Sequence, residues 1–226
     1  MYPLHMALRR LRLNARGREG ESRTRSHRVG CVWELIRAGA DVRARDGRGN
    51  TALHYMADDD PASVWPDLGP ERRQLLYALL KDCGADVNAR NNDGRTVAEL
   101  LLDDDNKFEE AKIQAGKEAP WQAIDEEVFA ALDAAGVDWL APTSEGESLL
   151  LPVARCQLAQ LRTVWRAQYL VAKGLNPNTA DKDGTPVRQV AESCYNPFLV
   201  EYFDKALQRQ ALDYCVEWKA GKGTAT

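Results

Sequence analysis

Gly39-Ala40-Asp41-Val42-Arg43-Ala44-Arg45 returns further along the chain as Gly84-Ala85-Asp86-Val87-Asn88-Ala89-Arg90, with decayed copies at Gly136-Val137-Asp138 and Gly174-Leu175-Asn176-Pro177-Asn178. In each copy the first glycine closes an apolar run and a second glycine, ten positions later, opens another: Gly39/Gly49, Gly84/Gly94, Gly136/Gly146 and Gly174/Gly184. Four copies of one frame mean a chain built from repeats, and self-similarity at this scale decides the fold class before local propensity does. Gly39 and Gly84 stand where a helix ends and a left-handed residue is needed, which glycine supplies without a Cβ penalty. Thr51, Thr96 and Ser148 offer the hydroxyl that caps a helix N-terminus. Val32, Leu35 and Ile36 in one repeat, and Leu75, Leu76, Leu79 and Leu80 in the next, fall at helical spacing on one face. Such a face has to be buried against a neighbouring repeat.

After each second glycine comes Thr51-Ala52-Leu53-His54, Thr96-Val97-Ala98-Glu99, Ser148-Leu149-Leu150 or Thr185-Pro186-Val187. The first of these closely resembles the T-P-L-H that opens the first helix of an ankyrin repeat. The resemblance implies an all-α, ankyrin-like helical solenoid of about five helix pairs, each pair preceded by a β-turn finger. It covers residues 29–195 well and the ends loosely, since Tyr2-Pro3-Leu4-His5-Met6-Ala7 reads as a helix opening that lacks its finger. The expected organisation is one repeat domain over 1–226: an incomplete first pair with an arginine-rich loop over 1–38, repeats over 39–195, and a capping helix and tail over 196–226.

Two departures from the family pattern matter. The glycine-to-glycine spacings of 45, 52 and 38 exceed the family period of about 33. The finger keeps its length, so the extra residues fall between the two helices of a repeat. In the fourth copy Gly184-Thr185-Pro186 lacks a residue between glycine and threonine, which leaves its register open by one.

Composition fits a soluble chain with a core: 226 residues, 44% hydrophobic. No apolar run of membrane-spanning length occurs, and the start is too polar and arginine-rich for a secretory signal. Cys31, Cys83, Cys156, Cys194 and Cys215 are odd in number and lack a C-x-x-C pair, so they read as reduced, mostly buried thiols of a cytoplasmic or nuclear protein. Residues 1–50 hold twelve arginines against five acidic residues, a net +7, so the rest carries −11 of the total −4. Arg9, Arg10, Arg12, Arg16, Arg18, Arg23, Arg25 and Arg28 read as a mobile loop able to meet nucleic acid, an anionic surface or an import receptor, or to fold back on the acidic body. No aromatic residues interleave them, which counts against single-stranded nucleic acid.

Asp58-Asp59-Asp60 and Asp103-Asp104-Asp105 each begin seven residues after the threonine of their own repeat and so take equivalent places. Carboxylates at a helix C-terminus oppose its dipole, so local stability does not call for them. A solvated polar turn is one reading; an acidic ridge that steers a basic partner is the other. The family resemblance places residues four, seven and eight after the threonine on the exposed side of the first helix, facing a concave groove. The implied lining is Arg48, Asn50, Tyr55, Asp58 and Asp59, then Asn92, Asp93, Arg95, Leu100, Asp103 and Asp104, with Glu145, Glu147 and Arg155 in the third repeat. Residues 61–70 hold three prolines and cannot be a regular helix, whereas Glu109-Glu110-Ala111-Lys112 offers a turn or two within 106–127. Trp65 and Trp121, each beside a proline, are read as anchors on one edge, or else as lids over the core.

Catalytic patterns are absent: no phosphate-binding glycine loop, no H-E-x-x-H, no G-x-S-x-G. His5 and His54 match the capping histidine of the resemblance, which leaves no general base. A row of carboxylates without calcium-loop spacing gives no metal site, and no cofactor is implied. Phe198–Lys219, opened by Pro197, reads as one amphipathic helix or a bent pair that caps the stack or docks another chain; Gly221–Thr226 is read as a disordered tail. Because the chain begins within a helix opening, it reads as a fragment of a longer protein or as a chain whose first repeat a partner completes. The expectation is therefore a non-enzymatic protein-binding module, monomeric or part of a larger chain, that engages a basic protein or peptide. The alternative is nucleic-acid or anionic-surface contact through the arginines, or service as the recognition part of a larger signalling protein.

Overall fold

The computed structural model describes residues 2–12, 22–57, 70–103, 120–156 and 160–219, with side chains at 11, 12, 22–28, 70–73, 120, 121, 124, 160, 211 and 213–219 left undescribed. Among the described residues are ten helices and no strand; two residues form an isolated antiparallel bridge, Ala180 with Pro186. They run as five pairs: α1 (Pro3–Arg12) and α2 (Ser22–Arg37), α3 (Ala52–Ala57) and α4 (Pro70–Lys81), α5 (Val97–Leu102) and α6 (Pro120–Ala134), α7 (Leu150–Arg155) and α8 (Gln160–Ala172), α9 (Val187–Ser193) and α10 (Pro197–Lys219). The chain forms two compact units, Met1–Trp139 and Leu140–Thr226.

In the first unit the first helices pack in one layer, α1 on α3 on α5, and the second helices in another, α2 on α4 on α6. Short first helices are stable only because they are swallowed: all six residues of α3 and all six of α5 are buried. No isolated six-residue helix would persist in water, so packing carries these elements. Leu4, Leu8, Leu53, Leu75, Leu76, Leu79, Phe129 and Leu132 fill the space between the layers. Trp139 closes the end of that core, its ring stacked on Phe129 at 5.1 Å and its indole N–H donating to Asp133 Oδ1 at 2.7 Å.

The second unit repeats the plan. α7 packs on α8 and α9, and α10 packs on α8 and α9. Asn196 is fully buried, with both ends of its side-chain amide engaged: the nitrogen donates to Thr163 Oγ1 at 2.7 Å, and the carbonyl oxygen accepts the Leu199 amide at 3.0 Å. It thereby caps α10, with Pro197 at the first helical position, where a missing N–H costs nothing. α10 is one helix rather than a bent pair; among its described side chains Leu199 and Phe203 are buried.

All eight paired glycines have positive φ, from +63° to +106°. Four of them end helices: the Gly39 amide bonds back to Ile36 O and the Ala40 amide to Leu35 O, and the same two-bond closure recurs at Gly136 and Gly174. α9 ends in the same closure, but Tyr195 holds the left-handed position at φ +58°.

Three expectations are corrected here. The arginine-rich stretch is largely helical: Arg9, Arg10 and Arg12 belong to α1, and Arg23, Arg25 and Arg28 to α2, leaving Arg16 and Arg18 outside the described residues. The thiols are not mostly buried. Among those described, none in a disulfide, Cys156 is buried, Cys31 is exposed, and Cys83 and Cys194 lie between. The fourth repeat lacks no residue. The Asp181 amide bonds Thr185 O as the Asp46 amide bonds Asn50 O, so Thr185 is equivalent to Asn50, and Pro186 takes the place of Thr51. Pro186 is the N-cap of α9.

Candidate protein-interaction surface

Each finger is two tight turns built by acceptor side chains. Asp41 Oδ1 accepts the Arg43 amide, Asp86 Oδ1 the Asn88 amide and Asn176 Oδ1 the Asn178 amide, at 2.9 to 3.0 Å. Five residues on, Asp46 Oδ1 accepts the amides of Arg48 and Asn50, Asn91 those of Asp93 and Arg95, and Asp181 those of Asp183 and Thr185. Thr143 fills that place in the third copy, accepting from Glu147 N at 3.1 Å. A short acceptor side chain pre-forms a turn without help from a neighbour. Sequence reasoning missed these residues, although the signal was present: an Asp, Asn or Thr stands three residues before every second glycine.

In the first unit the fingers are bonded to one another, mainly through main chain. Arg43 Nε donates to Gly84 O at 2.8 Å, and its counterpart Asn88 donates to Gly136 O at 2.9 Å. Arg45 donates to Arg90 O at 2.6 Å, and the Asn92 amide to Arg48 O at 2.9 Å. Behind the tips stands His54. The Thr51 amide can only donate, so Nδ1 of His54 is an acceptor; Nε2 carries the proton and donates to Arg95 O at 3.1 Å. His5 repeats the bond, its Nε2 lying 3.0 Å from Asn50 O, but Tyr2 stands in the place of Thr51, and Nδ1 of His5 finds no partner among the described residues.

The residues expected to line the groove fall into distinct groups. Arg48, Asn92 and Asp93 are exposed at finger tips, and Asp103 is exposed at the end of α5. Tyr55 and Leu100, expected on the exposed side of their helices, are instead 7% and 6% exposed. Tyr55 is held inward by its hydroxyl, which donates to Asp46 Oδ2 at 2.6 Å, and by its ring edge against His5. Burial pushes the Asp46 carboxyl up, but the Tyr55 hydroxyl and the Asn50 and Arg48 amides outweigh it and hold the group below its ordinary value. Asp58, Asp59, Trp65 and Asp104 lie outside the described residues, as do residues 61–69 and 109–112. Trp121 is the second residue of α6, so its backbone belongs to a helix and not to an inserted loop; its side chain is undescribed.

Arg95 and Asp103, eight residues apart, form an ion pair in which Arg95 also approaches the buried Glu99. In the next repeat the same two positions carry the opposite charges. Glu147 accepts two bonds from Arg155, at 2.7 and 2.9 Å, and a third from the Lys182 amide at 3.1 Å. The Arg155 guanidinium holds the Glu147 carboxyl below the usual carboxylate range, against burial, which pushes it up. A carboxyl whose folded pKa is depressed stabilises the fold above its unfolded value of about 4.3 and loses that contribution as pH falls through the folded value. The melting temperature is therefore expected to drop as pH is lowered from about 5 to about 3, and Glu147→Gln should flatten part of that slope. Circular-dichroism melts at stepped pH check this; an identical slope in the variant would remove Glu147 from the acid response.

No helix among the described residues is long and apolar enough to cross a membrane. No curated protein matches the chain. A family model described as Ankyrin repeat matches residues 48–92, which run from the tip of the first finger to the tip of the second. That scaffold serves generally in protein–protein contact. The matched segment, which contains the Thr51–His54 capping pair, is similar to the ankyrin repeat, and the same paired left-handed glycines recur outside it.

Proposed function

We propose that the chain is a non-enzymatic module that binds a basic face of a partner protein through the finger tips and first-helix ends of its first unit. The observation that carries this reading is the position of Asp103. It is exposed at the C-cap of α5, in the same repeat as the exposed tip residues Asn92 and Asp93, and it begins a run of three carboxylates. Arg95 answers one of the three. The triad Asp58–Asp60 stands at the equivalent place one repeat earlier in the sequence, so the acidic excess is doubled. Long-range attraction of this kind speeds capture and sets the sign of the partner, while affinity is concentrated in a few anchors. Arg48, Asn92, Arg95 and Asp103 are the described members of the surface; Asp58, Asp59, Asp104, Trp65 and Trp121 complete it from sequence.

The test is binding of a labelled lysine-rich peptide and of a random oligonucleotide to the intact chain at two salt concentrations. Replacing Asp58, Asp59, Asp103 and Asp104 by asparagine is expected to weaken the peptide by about tenfold or more, several charge-assisted contacts being lost. Replacing Arg16, Arg18, Arg23 and Arg25 by glutamine should leave the peptide unchanged. The reverse pattern, with the oligonucleotide bound and lost on removing the arginines, would favour nucleic acid and end the acidic-ridge reading.

A further inference from the structure

Between the stems of the first and second fingers lies an open cleft of about 500 Å³, lined by Arg43, Arg45, Thr51, Gly84, Asp86 and Ala89 among others. Two arginines of one finger thus line one cavity. Each is pinned by a single bond to the next repeat's main chain, Arg43 through Nε to Gly84 O and Arg45 through one terminal nitrogen to Arg90 O. A guanidinium has five N–H donors, so most donors of both remain unspent. No carboxylate among the described residues pairs with either. Arg37, Arg95, Arg155 and Arg188, by contrast, all sit on carboxylates. Pinning removes much of the rotamer freedom an arginine otherwise loses on binding, so the remaining N–H groups are pre-organised.

We infer that this cleft is an anion site that takes a carboxylate side chain of an acidic peptide segment, distinct from the acidic ridge and opposite to it in sign. Three features select that ligand. The glycine and alanine of the wall let a main chain approach closely, and the cleft is open, which suits an extended segment better than an enclosed small molecule. The paired guanidiniums match a carboxylate in bidentate fashion. Asp86, on the same wall with Oδ1 engaged by the Asn88 amide, repels a phosphate dianion about twice as strongly as a carboxylate, because the repulsion scales with ligand charge. Thr51 adds no donor, since its hydroxyl is engaged with His54 at 2.8 Å.

The probe is a fluorescein-labelled octaglutamate peptide, followed by anisotropy against the intact chain, with a phosphoserine peptide of equal length beside it. Arg43→Gln with Arg45→Gln is expected to weaken octaglutamate by about tenfold or more, the loss of two charge-assisted contacts. Asp86→Asn, which keeps the turn-forming oxygen, should tighten it several-fold. Arg16→Gln with Arg18→Gln should change nothing. Equal affinity in a folded Arg43/Arg45 variant would overturn the site, as would loss of binding only on changing Arg16 and Arg18, or tighter binding of the phosphoserine peptide. If the double arginine variant unfolds, Asp86→Asn decides: unchanged affinity overturns the proposal. Lysine-rich peptide binding is measured on the same proteins, so failure of the acidic ridge and failure of this cleft are read separately.

Discussion

Gly49→Ala is expected to destabilise the first unit by about 2–4 kcal/mol, the sum of a left-handed alanine and an overpacked contact. Gly49 has φ +73°, and an added methyl carbon would stand 2.3 Å from Asn92 Oδ1 and 2.8 Å from the Asn92 main-chain nitrogen. The side-chain oxygen can rotate away; the nitrogen cannot, because it donates to Arg48 O and holds the second finger against the first. Gly136→Ala is the matched control. Its φ is +79° with nothing near the added carbon, so it should cost only about 1 kcal/mol, the conformational part alone. Urea unfolding of the three proteins measures both, and equal losses at the two sites would show that finger-to-finger contact at Gly49 contributes nothing.

His54→Ala is expected to cost about 3 kcal/mol. The imidazole is fully buried, and its removal leaves the Thr51 amide and the Arg95 carbonyl without the ring that joins them. A cavity and two stranded polar groups then add. His5→Ala should cost less, since Nδ1 of His5 has no partner among the described residues. A double-mutant cycle of Thr51→Ala with His54→Ala isolates the coupling, expected near 1–2 kcal/mol for a buried hydroxyl–imidazole bond. A His54→Ala protein as stable as the parent would mean that the imidazole bond to Arg95 O contributes nothing to joining the two repeats.

The paired glycines made the fold legible because they report backbone conformation directly: a left-handed residue at a helix end and another before a helix start define the frame whatever lies between. The capping histidines were legible for a related reason, since both bond a main-chain carbonyl of the next repeat and His54 also bonds a threonine of its own motif. What sequence did not reveal depends on side chains reaching out of the local frame. Tyr55 and Leu100 stand at a position read as exposed, yet six-residue helices packed on both sides have little exposed face left, and Tyr55 found Asp46 nine residues back. Arg9 to Arg28 read as a loop from their glycines and charge, although arginine is a good helix former and both ends of the stretch are drawn into packed helices. Glu147 and Arg155 were both named as groove residues; their pairing was hidden because Arg95 and Asp103 carry the same relation with charges exchanged, so no shared residue type marks it.

That exchange has a further consequence. In both repeats the charged pair is internal, formed by two positions of one repeat, whereas the bonds that join repeats in the first unit mostly end on main-chain carbonyls, which any neighbour of the same backbone shape presents. Arg43, Arg45, Asn88, His5 and His54 all address the next repeat this way. A repeat of the first unit whose charged pair is internal, and whose bonds to its neighbour mostly end on backbone, approaches an interchangeable cassette. Copies could then be duplicated, lost or recombined during descent without compensating changes across the joint, leaving the tips free to diverge in what they recognise.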